Sequence, residues 1–179
     1  MTAICLLLVV TSARAHLMVE QHGTVNFANG GAFLVLSVPV SAFDGVDDNG
    51  DGALSAQELS LHTAEVERQI HNGVQLLDDL GEPLPLQGLL MSSTPHDNAP
   101  AGPAKHLVAL GRFPVDDAMS SLVLRMTLRG ETPEEQSFSI TATRDGQSNS
   151  MTFTPDRETQ TMFPSPTAAY IMRSHKSDH

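Results

Sequence analysis

Residues 47–58 read DDNGDGALSAQE, and no other stretch of the 179-residue chain limits its possible local structure as sharply. Counted as a twelve-residue loop, it has Asp47 at position 1, Asn49 at 3, Asp51 at 5, Ala53 at 7, Ser55 at 9 and Glu58 at 12. This is the spacing of an EF-hand-type calcium loop. Ca²⁺ takes roughly six to eight hard oxygen ligands from a backbone that curls around it. Side chains at positions 1, 3 and 5 point inward and position 7 offers its carbonyl. Position 9 ligates directly or through a water, and a long carboxylate at position 12 reaches back in bidentate fashion. Gly52 occupies position 6, where the sharp turn needs φ > 0. The expected cofactor is therefore Ca²⁺, and the expected ligands are Asp47, Asn49, Asp51, Ala53 (through its carbonyl), Ser55 and Glu58. Leu54, at position 8, is expected to point into the core.

The same residues start a helix. Ser55-Ala56-Gln57-Glu58 has the S-x-x-E form of a capping box, which makes Ser55 the expected N-cap. Helical composition continues over 56–72, with Leu59, Val66 and Ile70 on one stripe. Before the loop the chain is strand-like and interrupted by Pro39, so an incoming helix is not expected, and no second loop is present to pair with this one. A lone strand–loop–helix lacks the paired partner with which sensor EF-hands open. It suits a structural site, with an affinity of about 10⁻⁴–10⁻³ M.

The remainder reads as strands. Leu17–Phe27 and Ala32–Phe43 flank the turn signal Ala28-Asn29-Gly30-Gly31 and read as a hairpin, with Pro39 marking an edge, a bulge or the strand's end. Further strands are expected near Val74–Asp78, Leu84–Met91, His106–Phe113, Ser121–Arg129, Ser137–Arg144 and Ser148–Phe153. Asp145-Gly146 is a tight-hairpin signal between the last two. Ser92–Lys105 reads as a loop. About eight short strands with regularly spaced turns point to a mainly β chain, an antiparallel sandwich over 16–154 with one inserted loop and helix, and a flexible tail over 155–179.

The first fifteen residues read as a leader. Ile4–Val10 is a short apolar block followed by Ala13-Arg14-Ala15, whose small residues suit signal-peptidase cleavage before His16. Cys5, the only cysteine, falls inside this segment, so a mature chain starting at His16 has no disulfide, thiolate metal site or Cys nucleophile. The expected location is periplasmic or secreted. With 10 Lys+Arg against 21 Asp+Glu the formal net charge is −11, which repels phosphate backbones and argues against nucleic-acid binding. No apolar run reaches the roughly 20 residues that span a bilayer, so no membrane span is expected in the mature chain.

The order strand hairpin (HLMVEQHGTVNF…GAFLVLSVPVSAF), DDNGDGALSAQEL loop, helix, then LLDDLGEPLPLQG resembles exported bacterial EF-hand-domain proteins of uncharacterised function. It is also similar to the extracytoplasmic N-terminal region of HupE/UreJ-type membrane proteins. The resemblance covers residues 16–92, and its specific part is the loop. It implies a periplasmic calcium-binding sandwich working beside a membrane or envelope protein; an accessory protein whose acidic surface docks a membrane transporter is a separate alternative. This chain shows no membrane-spanning segment of that family, so transport itself is not implied.

Two other constellations enter the reading. Cleavage before His16 would expose an α-amine and imidazole able to chelate copper, making a periplasmic copper-handling protein the alternative. His22 is six residues farther along the same strand, roughly 20 Å away, so His96 or His106 would have to complete the site. His62 and His71 are nine apart on the helix, on opposite sides, and do not form a ligand pair. No G-x-S-x-G, H-E-x-x-H, Gly-rich phosphate loop or Cys–His arrangement occurs, so the expectation is a non-enzymatic protein.

Overall fold

The computed structural model describes residues 21–93, 102–116 and 121–163. The chain runs β1 (Gln21–Ala28), β2 (Gly31–Pro39), α1 (Ala56–Gly73), β3 (Val74–Leu77), β4 (Gln87–Ser93), β5 (His106–Pro114), β6 (Val123–Met126), β7 (Phe138–Arg144), β8 (Gln147–Phe153) and β9 (Thr159–Thr161). The fold is mainly β with a single α-helix among the described residues. Six strands form one sheet in the order β4-β5-β2-β1-β7-β8, and three form a second in the order β3-β6-β9.

Local chemistry explains the hairpins. Asn29 and Gly30 join β1 to β2 with φ of 50° and 68°, and Asp145 and Gly146 join β7 to β8 with 50° and 76°. Both central residues at positive φ match the twist of flanking strands, which is why Asn-Gly and Asp-Gly occupy such turns. Pro39 is the last residue of β2 and leads into a short 3-10 turn at Val40–Ala42. A proline there removes no interior ladder bond.

One face of the large sheet is buried. Val25, Leu34, Leu36, Leu107, Ile140 and Phe153 point inward and are essentially inaccessible. The inner face of the small sheet contributes Leu76, Leu124 and Met126, and α1 adds Val66 and Ile70, all within one hydrophobic cluster. The two sheets and the helix thus share a single core.

Three features depart from the sequence expectation. The large sheet is not purely antiparallel: β1 runs parallel to β7, with Gln21 opposite Phe138 and Phe27 opposite Arg144. Most of the chain intervenes between these strands, which gives the long crossover that a parallel pair needs. Ser121–Arg129 narrows to the four residues of β6, because beyond Met126 the backbone turns away and the Thr127 N–H donates to the Gly73 carbonyl. The chain also stays ordered past 154. β9 pairs with β6, and the Met162 N–H donates to the Leu122 carbonyl while its side chain is fully buried. One buried methionine in a polar stretch secures that strand, so alternation could not reveal it. Residues 1–20, with the expected leader and His16, lie outside the described residues, as do His96 and 164–179. No helix among the described residues is long and apolar enough to cross a membrane.

Candidate metal centre

The loop between the turn after β2 and helix α1 is organised by its own acidic side chains. Asp47 Oδ1 accepts the N–H of Gly50 at 2.8 Å and of Asp51 at 3.3 Å, and Oδ2 accepts the N–H of Gly52 at 2.8 Å. Asn49 Oδ1 accepts the Asp51 N–H, and Asp51 Oδ1 accepts the Ala53 N–H, both at 2.9 Å. Short Asx side chains form such turns because they reach a backbone donor two or three residues on. Gly52 has φ of +73°, as position 6 demands, and nothing within 4 Å of where a Cβ would sit. Its requirement is therefore conformational rather than steric.

Glu58 closes the loop. It is the third residue of α1 and only 7% exposed. The Ser55 hydroxyl accepts the Glu58 N–H at 3.2 Å, and Glu58 Oε2 accepts the Ser55 N–H at 2.8 Å, completing the capping box. Oε1 reaches back to accept the Asp48 N–H at 3.2 Å, so position 12 lies against the start of the loop. These bonds hold its carboxyl below the usual 4.5: the Ser55 side chain contributes most, then the Ser55 N–H, with burial opposing and the Asp48 and Asn49 N–H groups adding. A carboxylate held ionised, with lone pairs beyond those engaged, is chemically suited to a hard cation.

Two ties anchor the loop to the molecule. Leu54 is fully buried and forms an antiparallel bridge with Ala104: its N–H donates to the Ala104 carbonyl at 2.8 Å, and the Ala104 N–H returns a bond of 3.0 Å. The loop therefore pairs with the strand-like approach to β5, although it has no second calcium loop. At the entry, Gln69 of α1 donates Nε2 to the Asp44 carbonyl and accepts the Asp44 N–H, each at 2.9 Å. Sequence reasoning missed Ala104 and Gln69 altogether. Ala104 lies in a Pro/Gly/Ala segment with no marker of pairing, and Gln69 looks like any polar helix residue.

The expected ligand residues share this one loop, with Asp47, Asn49 and Asp51 on the solvent side and Ala53 and Glu58 buried. Among the described residues no group of three or more His, Cys, Asp and Glu side chains is gathered for a metal. The expected set holds only three carboxylates, each engaged with N–H groups of the loop, and its remaining oxygens are amide, hydroxyl and carbonyl. Asp48, at position 2, points away, both of its carboxylate oxygens 3.0 Å from His62 Nε2. Of the histidines weighed for copper, His22 lies on β1 and His106 begins β5. No protein-family model matches the chain, and no curated protein matches it.

Proposed function

We propose that the chain is an exported, non-enzymatic domain that binds one Ca²⁺ in the loop 47–58, through the side chains of Asp47, Asn49, Asp51 and Glu58, the Ala53 carbonyl and Ser55. The observation that carries this reading is the closure of a twelve-residue loop. Gly52 turns at positive φ in its middle, and the Glu58 carboxylate folds back onto the backbone of Asp48. The donor set supports it, since every candidate ligand offers oxygen, the preference of a hard cation. The role is structural: the cation would neutralise clustered carboxylates at the start of the helix whose Val66 and Ile70 enter the core. Isothermal titration tests the proposal. It should show about one Ca²⁺ per chain and much weaker Mg²⁺ binding, because Mg²⁺ requires a tighter octahedron. Absence of heat with Ca²⁺, or equal affinity for both ions, overturns it.

A further inference from the structure

The outer face of the six-stranded sheet divides into two chemically different halves. On β1, β7 and β8 the inward residues are mostly apolar, Gln21 and Asn149 excepted, and the outward ones include Thr24, Asn26, Ser139, Thr141, Thr143 and Ser150. That is the alternation of a sheet with one solvated face. On β4, β5 and β2 the alternation fails: LLM, LVAL and AFLVL are continuous apolar runs. Such runs are typical of strands covered on both faces, yet the described residues cover only one. Phe33, Val35, Leu90 and Leu110 consequently stand outward at 41%, 40%, 68% and 41% exposure. Register makes them neighbours, with Leu90 opposite Leu110 and Leu110 opposite Val35.

Charge is arranged in the same way. None of the six strands contains an Asp, Glu or Lys, although the chain carries 21 Asp and Glu. About half of the 47 residues in these strands face outward, and at the chain's overall acid frequency they would hold about three.

We propose that this outer face is the contact surface of a symmetric homodimer, with the β4–β5–β2 half as its apolar part. A partner selected by charge would be recognised by the acidic groups in which this chain is rich. A second copy of a chain at net charge −11 instead requires a surface without them, because a two-fold contact brings like residues close together. The size fits as well. Six strands about 4.8 Å apart and about seven residues long at roughly 3.3 Å per residue cover on the order of 650 Å² in plan. Side-chain relief brings that close to the roughly 800 Å² per partner of a standard interface. Two shallow hollows flank the Val35–Leu110 ridge, one of about 280 Å³ lined by Phe33, Leu110 and Arg112, the other of about 300 Å³ lined by His22, Val35 and Val108. They offer seats for the ridge of the opposing copy. Edge-to-edge pairing through β4 is disfavoured, because the strand is irregular between Gln87 and Leu90, with Gly88 at φ of +60°.

Sedimentation velocity over a concentration series tests the proposal on the purified protein. The wild type should sediment as a dimer that tightens as salt rises, since salt screens the acidic remainder while the strands of the contact hold no acidic group. Val35→Lys with Leu110→Lys should weaken the dimer at least about a hundredfold, the scale of two central contact residues. Val35→Thr with Leu110→Thr, which preserves strand propensity, should weaken it in the same direction. Leu61→Lys, at an exposed helix position, should leave it unchanged. Circular dichroism melts identify variants that stay folded. A monomeric wild type, a Thr variant that is folded and dimerises like the wild type, or equal weakening by Leu61→Lys overturns the proposal. So does a wild-type monomer that floats with anionic lipid vesicles.

Discussion

Glu58 occupies a position where one side chain serves two chemistries. Its two oxygens accept N–H groups from Ser55 and Asp48, which caps α1, and the same carboxylate is the proposed bidentate ligand. Glu58→Gln should therefore lower the melting temperature without Ca²⁺ and also remove most of the rise that Ca²⁺ produces, because an amide offers one acceptor and no charge. Asp48→Asn should keep the calcium response, since that side chain turns out toward His62. Thermal melts of both variants with and without Ca²⁺ read this directly, and identical responses from the two variants would remove Glu58 from the site. The sign of the pH effect follows from its lowered carboxyl. The contribution is present above the ordinary 4.5 and is lost as pH falls through the lowered folded value. The stability gap between wild type and Glu58→Gln should accordingly shrink from about pH 7 to about pH 2. At Gly52, space is not the constraint, so Gly52→Ala should cost about 1 kcal/mol in a denaturant melt through its left-handed φ alone, and Gly52→Asn less.

At the level of elements, the loop and helix α1 act as one unit held at three points: the Ser55 cap, the Leu54–Ala104 bridge and the Gln69–Asp44 tie. Ser55→Ala should destabilise by about 1 kcal/mol, the usual cost of losing an N-cap. Leu54→Ala should cost more, about 2–5 kcal/mol, because it opens a cavity at a fully buried position. Its backbone bridge to Ala104 survives the truncation, so calcium affinity should fall less steeply than stability. Denaturant melts paired with titration separate the two effects. Equal losses in both would show that the bridge does not hold the loop on its own.

Across the whole molecule, a cation bound to the native state alone stabilises by RT ln(1 + [Ca]/Kd), about 1.4 kcal/mol at tenfold saturation. For a chain of this length that corresponds to about 3–6 °C in melting temperature. Calorimetry with Ca²⁺ and with Mg²⁺ at matched ionic strength should show the rise for Ca²⁺ only. Equal shifts would indicate general screening of a chain with 21 acidic groups. The same charge separates the molecule into regions. Glu58, Glu65 and Glu67 lie on α1 and the Asp residues of the loop precede it, whereas the six-stranded sheet carries no acid at all. A surface arranged this way can order a cation at one place and approach a second copy at another.

What the residues settle by themselves is local. The Asx turns of the loop, the positive φ of Gly52, the Ser55–Glu58 cap and the Asn-Gly and Asp-Gly hairpins each depend on atoms a few positions apart, so their chemistry is legible in DDNGDGALSAQE and its neighbours. Strand pairing has no such code. Alternation shows which side of a strand is buried without naming its partner, and so the parallel β1–β7 pair, the Leu54–Ala104 bridge and the short β9 emerge only once distant segments meet. In β2, β4 and β5 even the alternation is silent, because Phe33, Val35, Leu90 and Leu110 are as apolar as the residues facing inward. Only the tertiary structure decided which of these two apolar faces entered the core, by placing the helix and the small sheet on one side and leaving the other outward.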